Sequence, residues 1–555
     1  MVLFFTVLLM KKRTILDFLF EILLIAVSAF LYALSFPSLW SDAGWPIFAL
    51  FSLVPLLYVI DRSPWSLVWL YGLLFGSGFF SLFNYWLSTF HQLAIYLCGI
   101  AKGLELAIVF PFLKAAFKSH KRYGFVIQAL AYAAYTFVFQ QGFFGYAYGQ
   151  LGSALYLWPA AIQIADITGI WGVSFLAILP QCFIAYMLLE RRETRFIVRC
   201  ASAIVIAWIL NLAYGMATIS FYKDAQPEKT VRIAAIQHDS DTWKGGYTQY
   251  LHNFELLKSL TLQAMNENPD LVIWSETAFV PSVSWHTKYP SHQATAKMVD
   301  DFVQFGLKLD VPLVTGNPEG TIKDPAQPAF LEDGSWNRID YNSVILFADG
   351  QILGTYRKQH LVPFTEYFPY QDLFPDFTQF LLSHDYNWWL EGTQSKVFEY
   401  DGYRFSTSIC FEDTFGNISQ AFVKQGSDLL LNLSNDSWSK AIPAETQHMA
   451  LGVFRSVENK RSTVRSTNSG ITTQISPWGQ IINPIEPFTA SYHVYDVPIY
   501  SQEEFGHTIY TMLGDWFAIF ALALSASFIL LSIVRRRAEA KAFPASKSEL
   551  EEAIR

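Results

Sequence analysis

The sequence predicts a polytopic α-helical membrane domain combined with an α/β soluble domain. Of the 555 residues, 52% are hydrophobic and 15% are charged, whereas about a quarter of an ordinary soluble chain is charged. Long apolar runs are confined to residues 15–222 and 509–534, and the insert between them has normal charge and turn density. Within that insert, predicted strands alternate with predicted helices, which is typical of an α/β fold.

Eight stretches have the roughly 20 predominantly apolar residues that a transmembrane helix needs. Seven precede the insert and one follows it: 15–35, 45–60, 66–88, 92–117, 124–146, 168–189, 197–221 and 509–534. The second is short, so we expect it to be tilted or partly interfacial. The first is too long for a signal peptide and no small-residue cleavage site follows it, so we expect it to be retained. The predicted domains are a seven-span membrane domain, a soluble domain, a last span and a tail: 1–226, 227–507, 508–537 and 538–555.

Lysines and arginines beside the spans predict the orientation, because short cytoplasmic loops carry an excess of both. If the spans alternate, every basic break lies on one side of the membrane: 11–13, 62, 118–122, 191–195 and 535–537. The breaks on the other side contain neither residue type: 36–44, 89–91 and 147–167. Both termini are therefore predicted to be cytoplasmic. The insert is predicted to lie on the periplasmic face of a bacterial inner membrane.

Composition also excludes several classes of protein. A net charge of −8 argues against a nucleic-acid binder that works through an overall basic surface. Four cysteines are too few for a disulfide framework. His360, His384 and His448 have no partner in a metal-ligand spacing, so neither a metal nor another cofactor is predicted.

The insert contains predicted strands at 231–237, 271–274, 311–315, 342–347, 352–356, 404–409, 429–433, 462–466 and 471–476. Helices are predicted at about 248–266 and 443–459. Asp349 and Gly350 suit a hairpin turn. Several strands end in a polar residue, so we expect a site at strand ends.

Glu276, Lys358 and Cys410 each stand at the end of a predicted strand. Each alone has an ordinary explanation, since strand-end Glu and Lys are usually solvated and a lone cysteine is usually a small buried hydrophobe. The three cysteines in or beside the apolar spans fit that explanation. Cys410 does not, because it has no cysteine partner in the insert and an exposed thiol outside the cytoplasm is open to oxidation.

Together these three residue types form a complete set for acyl transfer. A thiol attacks as the thiolate, so a base must take its proton. A carboxylate shielded from solvent has a pKa raised enough to serve as that base. An ammonium stabilises the oxyanion of the tetrahedral intermediate. The chain has no GxSxG motif that would supply a serine nucleophile instead.

The strings around these residues resemble the nitrilase (carbon–nitrogen hydrolase) superfamily. They are WSETA, YRKQHLVPFTEYFP, ICFED and NLSNDSW, in that order, followed by RSVENKR at 455–461 and RSTNSGI at 465–471. The late arginine-rich stretch is equally consistent with a structural and a functional role. With its predicted spans arranged seven plus one around the insert, the whole chain resembles the apolipoprotein N-acyltransferase family.

The resemblance implies a nitrilase-like αββα sandwich for the soluble part. It also implies transfer of a fatty acyl group from a phospholipid to the α-amino group of the S-diacylglyceryl cysteine of an apolipoprotein. Cys410 would carry the acyl group as a thioester, Glu276 would be the general base and Lys358 the oxyanion stabiliser.

The resemblance reaches four more positions. Glu366 matches a second glutamate that supports the site, and Glu412 matches the glutamate two residues after the nucleophile. Trp243, after the first strand, matches a functional tryptophan. Phe411 departs from the pattern, because a tyrosine commonly follows the nucleophile.

Residues 364–389 support a lipid substrate independently of the resemblance. They carry ten aromatic side chains and closely follow Lys358. The segment is either a locally aromatic core or a loop that enters the membrane surface, where Trp and Tyr rings sit well. In the fourth span, Lys102 and Glu105 are costly in lipid. They either pair across one helical turn or face the bundle interior or a water-filled entrance.

Two rival functions stay open at this level. A membrane-anchored amidase would use the same three residues and release the acyl group to water. A non-catalytic receptor or transporter would suit eight spans, but an intact Glu, Lys and Cys set argues against an inactive domain.

Overall fold

The computed structural model describes residues 14–90, 92–142, 145–190, 192–363, 365–367, 373, 375–376, 388–500 and 505–542. Three sequence predictions lie largely or wholly outside these residues: the basic cluster at 11–13, most of the aromatic segment 364–389 and the tail beyond 542. His384 also lies outside them.

The described α-helices are α1 Ile15–Leu34, α2 Val54–Arg62, α3 Trp65–Phe83, α4 Leu87–Phe90, α5 Ala94–Ser119, α6 Gly124–Val138, α7 Pro159–Ile162, α8 Ala165–Leu189, α9 Thr194–Asp224, α10 Tyr247–Ala264, α11 Val283–Lys288, α12 Gln293–Lys308, α13 Gly416–Lys424, α14 Ile442–Asn459, α15 Ile509–Leu513 and α16 Trp516–Ala542. Short 3-10 turns occur at Pro46–Leu50, Leu151–Leu155, Met265–Glu267 and Cys410–Thr414.

Six helices of the described chain are long and apolar enough to cross a membrane: α1, α3, α5, α8, α9 and α16. The predicted fifth span forms α6, which has 15 residues. The predicted second span forms the 3-10 turn Pro46–Leu50 and then α2, which has nine residues. Pro55 stands at the start of α2 and has no backbone N–H to continue a helix from the preceding turn. The count of eight spans stays a prediction.

Three of the described basic breaks, at 118–122, 192–195 and 535–537, meet at one end of the helical bundle. Arg192 donates to the Lys121 carbonyl at 2.7 Å, and Arg536 donates to the Lys118 carbonyl at 3.0 Å. The other end of the bundle contacts the soluble domain, where Gln163 donates to the Trp478 carbonyl at 2.9 Å. These three basic breaks and the soluble domain therefore lie at opposite ends of the bundle.

The soluble part contains two six-stranded sheets and one three-stranded sheet. Their orders are β15-β1-β2-β3-β6-β7, β14-β13-β12-β11-β10-β9 and β4-β5-β8. The strands are β1 Lys229–Gln237, β2 Leu271–Ile273, β3 Leu313–Gly316, β4 Glu319–Ile322, β5 Arg338–Tyr341, β6 Ser343–Ala348, β7 Gln351–Arg357, β8 Trp389–Leu390, β9 Val397–Tyr400, β10 Tyr403–Ile409, β11 Leu429–Ser434, β12 Ser462–Thr467, β13 Thr473–Ile475, β14 Ile481–Ile482 and β15 Ser491–Ile499. The predicted hairpin is present as β6 and β7, which are antiparallel.

The two large sheets pack face to face, because alternate residues of their strands are apolar and buried. Ile233 and Ile273 of the first sheet share one core with Leu431 and Val464 of the second. The opposite face of the first sheet is covered by α10 and α12 in a separate core. Helices α13 and α14 contact the second sheet. The soluble part is therefore the αββα sandwich that the sequence predicts.

Helix α14 joins the sandwich to the membrane bundle. Its apolar residues, such as Phe454 and Val457, belong to the same core as the bundle helices. The Gln447 amide donates to the Pro37 carbonyl at 2.8 Å and accepts from the Trp86 indole at 3.2 Å. These contacts attach helix α14, which contacts the second sheet, to the bundle. Strand β10 of that sheet leads into Cys410.

Candidate active site

Glu276, Lys358 and Cys410 follow β2, β7 and β10. The loop that carries Glu276 passes very close to the end of β3, because a Cβ on Gly316 would lie 2.2 Å from the Thr277 nitrogen. Only glycine permits this approach, so Gly316 helps to set the path of the loop. The three strand ends meet on one edge of the sandwich, as the sequence predicts for strand-end residues.

Lys358 is shared between two carboxylates. Its Nζ lies 3.3 Å from Glu276 Oε1 and 2.8 Å from Glu366 Oε1. The Asn342 side-chain amide donates to the same two oxygens, at 2.7 Å and 3.0 Å. Lys358 is 1% exposed, so the site has one buried ammonium for two acidic side chains.

Burial and neighbouring charges shift the pKa values of Glu276, Lys358 and Cys410. Burial raises the pKa of Glu276, and the Lys358 ammonium opposes that rise. Burial alone would lower the pKa of Lys358, but Glu366 and Glu276 raise it above its ordinary value. Burial, followed by the Glu276 carboxylate, raises the pKa of the Cys410 thiol. The arrangement keeps a protonated thiol beside a carboxylate that can accept its proton.

Cys410 has a backbone φ of +50°, in the left-handed region that L-residues seldom adopt. It begins the 3-10 turn Cys410–Thr414. Such strain is characteristic of functional sites that the surrounding structure over-determines.

Glu412 ties this turn to the strand that precedes Lys358. Its carboxylate accepts from the Ile409 amide at 2.7 Å, the Gln359 amide at 2.6 Å and the Tyr356 hydroxyl at 2.8 Å. Burial raises the pKa of Glu412 to about 7. Its contacts couple the position of Cys410 to that of Lys358.

The remaining predicted residues occupy different surroundings. Phe411 is buried and stacks on Tyr148 of the membrane domain, with ring centroids 6.3 Å apart. Trp243 is 52% exposed, in a loop whose Thr242 hydroxyl donates to the Asn435 side chain at 3.1 Å. That contact brings the Trp243 loop to the end of β11, next to the strand that ends at Cys410.

Sequence reasoning missed a buried polar cluster behind Cys410. His448 contacts the carboxylates of Asp413 and Asp436, both at 2.8 Å, and Arg465 pairs with Asp413. His448 is therefore not isolated, although its lack of a partner in a metal-ligand spacing suggested that it was. Its partners come from separate segments, so spacing carries no signal for it. The local sign is a run of four consecutive polar residues near the start of helix α14, all of them buried where apolar residues are usual: Glu445, Thr446, Gln447 and His448.

Asn342 was missed as well, since a strand-start asparagine has no distinctive spacing. Cys410, Asp436 and His448 present ligand atoms within 4.8 Å of one another, and these are donor types that zinc accepts. Both His448 ring nitrogens already have carboxylate partners, however, and Arg465 brings a positive charge to the same acids. The donor set suits a protonated histidine better than a metal.

An apolar cavity inside the bundle extends to Tyr148. Its lining includes Tyr32, Phe75, Phe79, Lys102, Leu106, Phe110, Leu113 and Tyr132. Lys102 pairs with Glu105 at 2.6 Å, and the Tyr135 hydroxyl donates to Glu105 at 2.8 Å. The two charges of the fourth span thus neutralise each other, with Lys102 on the cavity wall.

Comparison with known proteins identifies the family. The chain is 34% identical to apolipoprotein N-acyltransferase 1 of Treponema denticola, over 96% of this chain and 100% of that protein. The chain belongs to the apolipoprotein N-acyltransferase family. It is also 33% identical to apolipoprotein N-acyltransferase 1 of Treponema pallidum, over 92% of this chain and 95% of that one.

Family models agree with this membership. Residues 232–501 match the carbon–nitrogen hydrolase family, and residues 28–183 match the apolipoprotein N-acyltransferase N-terminal domain. Among solved structures, a nitrilase-superfamily amidase from Nesterenkonia AN1 is 18% identical, with a TM-score of 0.34 over 49% of this chain and 94% of that one. The family and the acyltransferase class predicted from the sequence are confirmed.

Proposed function

We propose that this enzyme moves a fatty acyl group from a phospholipid, through a thioester on Cys410, to the α-amino group of the S-diacylglyceryl cysteine of apolipoproteins. The observation that carries this proposal is the contact between Phe411, which follows the nucleophile, and Tyr148, which lines the apolar cavity of the bundle. A site for a water-soluble amide has no need of an apolar cavity among membrane helices.

In the first half-reaction, Glu276 takes the Cys410 proton and the thiolate attacks the ester carbonyl of the phospholipid. The tetrahedral intermediate collapses to the thioester, and the lysophospholipid oxygen leaves with the proton from Glu276. In the second half-reaction, the α-amine attacks the thioester. Glu276 takes a proton from that nitrogen and returns it to the departing sulfur, which leaves an amide and the free enzyme.

Lys358 is assigned to the oxyanion of both tetrahedral intermediates. A buried ammonium in a water-excluded site stabilises developing negative charge far better than one in water. Glu366 and Asn342 support this assignment, because their contacts at 2.8 Å to Lys358 and 2.7 Å to Glu276 restrain both groups. Glu366 thus acts through Lys358 and need not touch the substrate.

The acyl donor is assigned as a lipid because of the cavity. Its wall is aromatic and aliphatic and it lies among helices long enough to cross a membrane, so an alkyl chain is buried there favourably. We further propose that the sandwich faces the periplasm and both termini face the cytoplasm. The meeting of the basic breaks at the bundle end away from the sandwich supports this orientation.

Incubation of the purified enzyme with phospholipid and a synthetic diacylated lipopeptide tests the function. We expect the lipopeptide mass to increase by one acyl group, and intact-protein mass spectrometry with phospholipid alone should reveal an acyl adduct. Release of free fatty acid with no acylated peptide would indicate the amidase or esterase alternative instead. The Cys410→Ala variant provides the matched control.

A further inference from the structure

The cluster behind the nucleophile contains a histidine with two acidic partners. His448 is 2% exposed. Its Nδ1 lies 2.8 Å from Asp436 Oδ1, and its Nε2 lies 2.8 Å from Asp413 Oδ1 and 3.2 Å from the Cys410 carbonyl oxygen. A neutral imidazole has only one N–H. Two carboxylate partners require two N–H donors, so the geometry indicates an imidazolium.

The charges around His448 balance in that state. Asp413 and Asp436 contribute two negative charges, and His448 and Arg465 contribute two positive charges, with Arg465 paired to both acids. Glu445 adjoins Asp436, and burial together with that neighbour raises the pKa of Glu445. Tyr148, whose ring centroid lies 6.2 Å from that of His448, faces it from the membrane domain.

We propose that His448 is a positioning residue whose Nε2–H, shared between the Asp413 carboxylate and the Cys410 carbonyl, keeps the nucleophile turn in its left-handed conformation. The Cys410 peptide is restrained from two sides, because the Asn432 amide also donates to that carbonyl at 3.2 Å. Without the histidine donor, a turn at φ +50° has reason to relax. The thiol would then leave the vicinity of Glu276 and Lys358. This inference rests on the proposed function in taking Cys410 as the nucleophile.

The test measures iodoacetamide alkylation of Cys410 in enzyme whose other three cysteines are replaced by alanine, comparing His448 with His448→Gln. At neutral pH we expect the variant to react about 10- to 100-fold more slowly, a loss typical of a misplaced reactive group. Its acylation by phospholipid should slow similarly, with KM little changed.

The pH dependence separates positioning from a purely structural role. Burial lowers the pKa of His448, but the Asp436 and Asp413 carboxylates raise it to about 9. The cation is therefore present below that pH and lost above it. We expect the ratio of wild-type to variant alkylation rates to fall toward one as the pH passes about 9. A ratio that does not change with pH, or an unchanged rate at neutral pH, would overturn the proposal.

Three controls keep the result decisive. The His252→Gln change, on the exposed side of α10, should leave the alkylation profile unchanged. If His448→Gln lowers the thermal unfolding midpoint, the double variant Asp436→Asn/His448→Gln is measured as well. It removes one positive and one negative charge, and it should show the same slow alkylation. If a metal chelator slows the wild type to the variant rate, the cluster holds a cation and the proposal fails. Alkylation needs no phospholipid, so a missing acyl adduct would count only against the proposed function.

Discussion

At the scale of single residues, the proposed site depends on how closely the Lys358 ammonium contacts each of two carboxylates, Glu366 and Glu276. Lys358 sits closer to Glu366 than to Glu276, at 2.8 Å against 3.3 Å. Glu366 is therefore the closer partner of the Lys358 ammonium. Glu276 is left with a raised pKa, which makes it a better proton acceptor for a thiol than an ordinary exposed glutamate.

The nucleophile assignment predicts the behaviour of the four cysteines. Cys410→Ala and Cys410→Ser should abolish the acyl adduct, because serine lacks the acidity of a thiol. Replacement of Cys98, Cys182 or Cys200 should leave turnover within a few-fold, since these residues lie in the membrane helices. Intact mass after incubation with phospholipid measures the adduct. A hydroxylamine-sensitive adduct on Cys410→Ala would identify another nucleophile.

Glu276→Gln and Lys358→Met separate the base from the oxyanion stabiliser. Loss of an oxyanion donor costs about 10²–10³ in rate, and both variants should acylate slowly at neutral pH. At high pH, where the Cys410 thiol ionises unaided, Glu276→Gln should recover part of its acylation rate and Lys358→Met should not. Single-turnover acylation at saturating phospholipid measures this, and the reverse pattern would mean that the two roles are exchanged.

The acidic side of the pH profile follows from the same assignment. Burial raises the pKa of Glu276, and only the carboxylate form accepts a proton. Acylation should therefore decline as the pH falls through this raised pKa, at a higher pH than an exposed glutamate would give. A single-turnover pH profile of the wild type measures this decline in the acylation rate at acidic pH. The same decline in Glu276→Gln would show that another group titrates.

At the scale of elements, the turn Cys410–Thr414 connects the two sheets of the site. Glu412 receives donors from Tyr356 in β7, from the Gln359 backbone just after β7 and from Ile409 in β10. A carboxylate with several buried donors fixes the relative position of the strands that supply them. A change in the packing of one sheet would therefore shift, through this turn, the site residues that the other sheet carries.

Glu412→Ala should misplace Cys410 and Lys358 together. It leaves buried amide donors without an acceptor, each at a cost of about 1–3 kcal/mol, and we expect acylation to fall by about 100-fold. Tyr356→Phe is the matched control, because it removes one donor and leaves the backbone amides bonded to Glu412; it should change the rate only a few-fold. Near-normal acylation by Glu412→Ala would refute this view of the turn.

At the scale of the whole molecule, α14 is part of both the sandwich and the membrane bundle. The His448 ring lies 3.2 Å from the carbonyl oxygen of Cys410, where the turn begins, and the Gln447 amide donates to the Pro37 carbonyl. Near its end, the Glu458 carboxylate accepts from the Ile170 amide at 3.0 Å. These contacts attach the helix that carries His448, and with it the surroundings of Cys410, to the membrane bundle.

The orientation of the molecule can be tested with topology reporters. Fusions in 118–122 and 190–196 should report a cytoplasmic location, and fusions in 147–167 and 227–507 an external one. The physical reason is retention of Lys and Arg on the cytoplasmic side. A cytoplasmic signal from any point in the soluble domain would overturn the predicted orientation and the span count.

The sequence by itself determined the properties that periodicity and local strings encode. Apolar runs located α1, α3, α5, α8, α9 and α16, because a helix that crosses a membrane needs about 20 predominantly apolar residues. Short apolar segments that end in polar or turn residues located most of the sandwich strands, and the strings around Glu276, Lys358 and Cys410 pointed to the family. The interruption of the second predicted span was not apparent, because hydropathy does not record where Pro55 starts a new helix.

Only the tertiary structure decided which distant residues meet. Asn342 between Glu276 and Glu366, His448 between Asp413 and Asp436, and Tyr148 against Phe411 each join segments far apart in the chain. No local pattern specifies such pairs, because a side chain's neighbours across a sheet or a domain boundary depend on register and docking. The same reason explains why His448 looked isolated along the sequence, although it lies beside Cys410 in the fold.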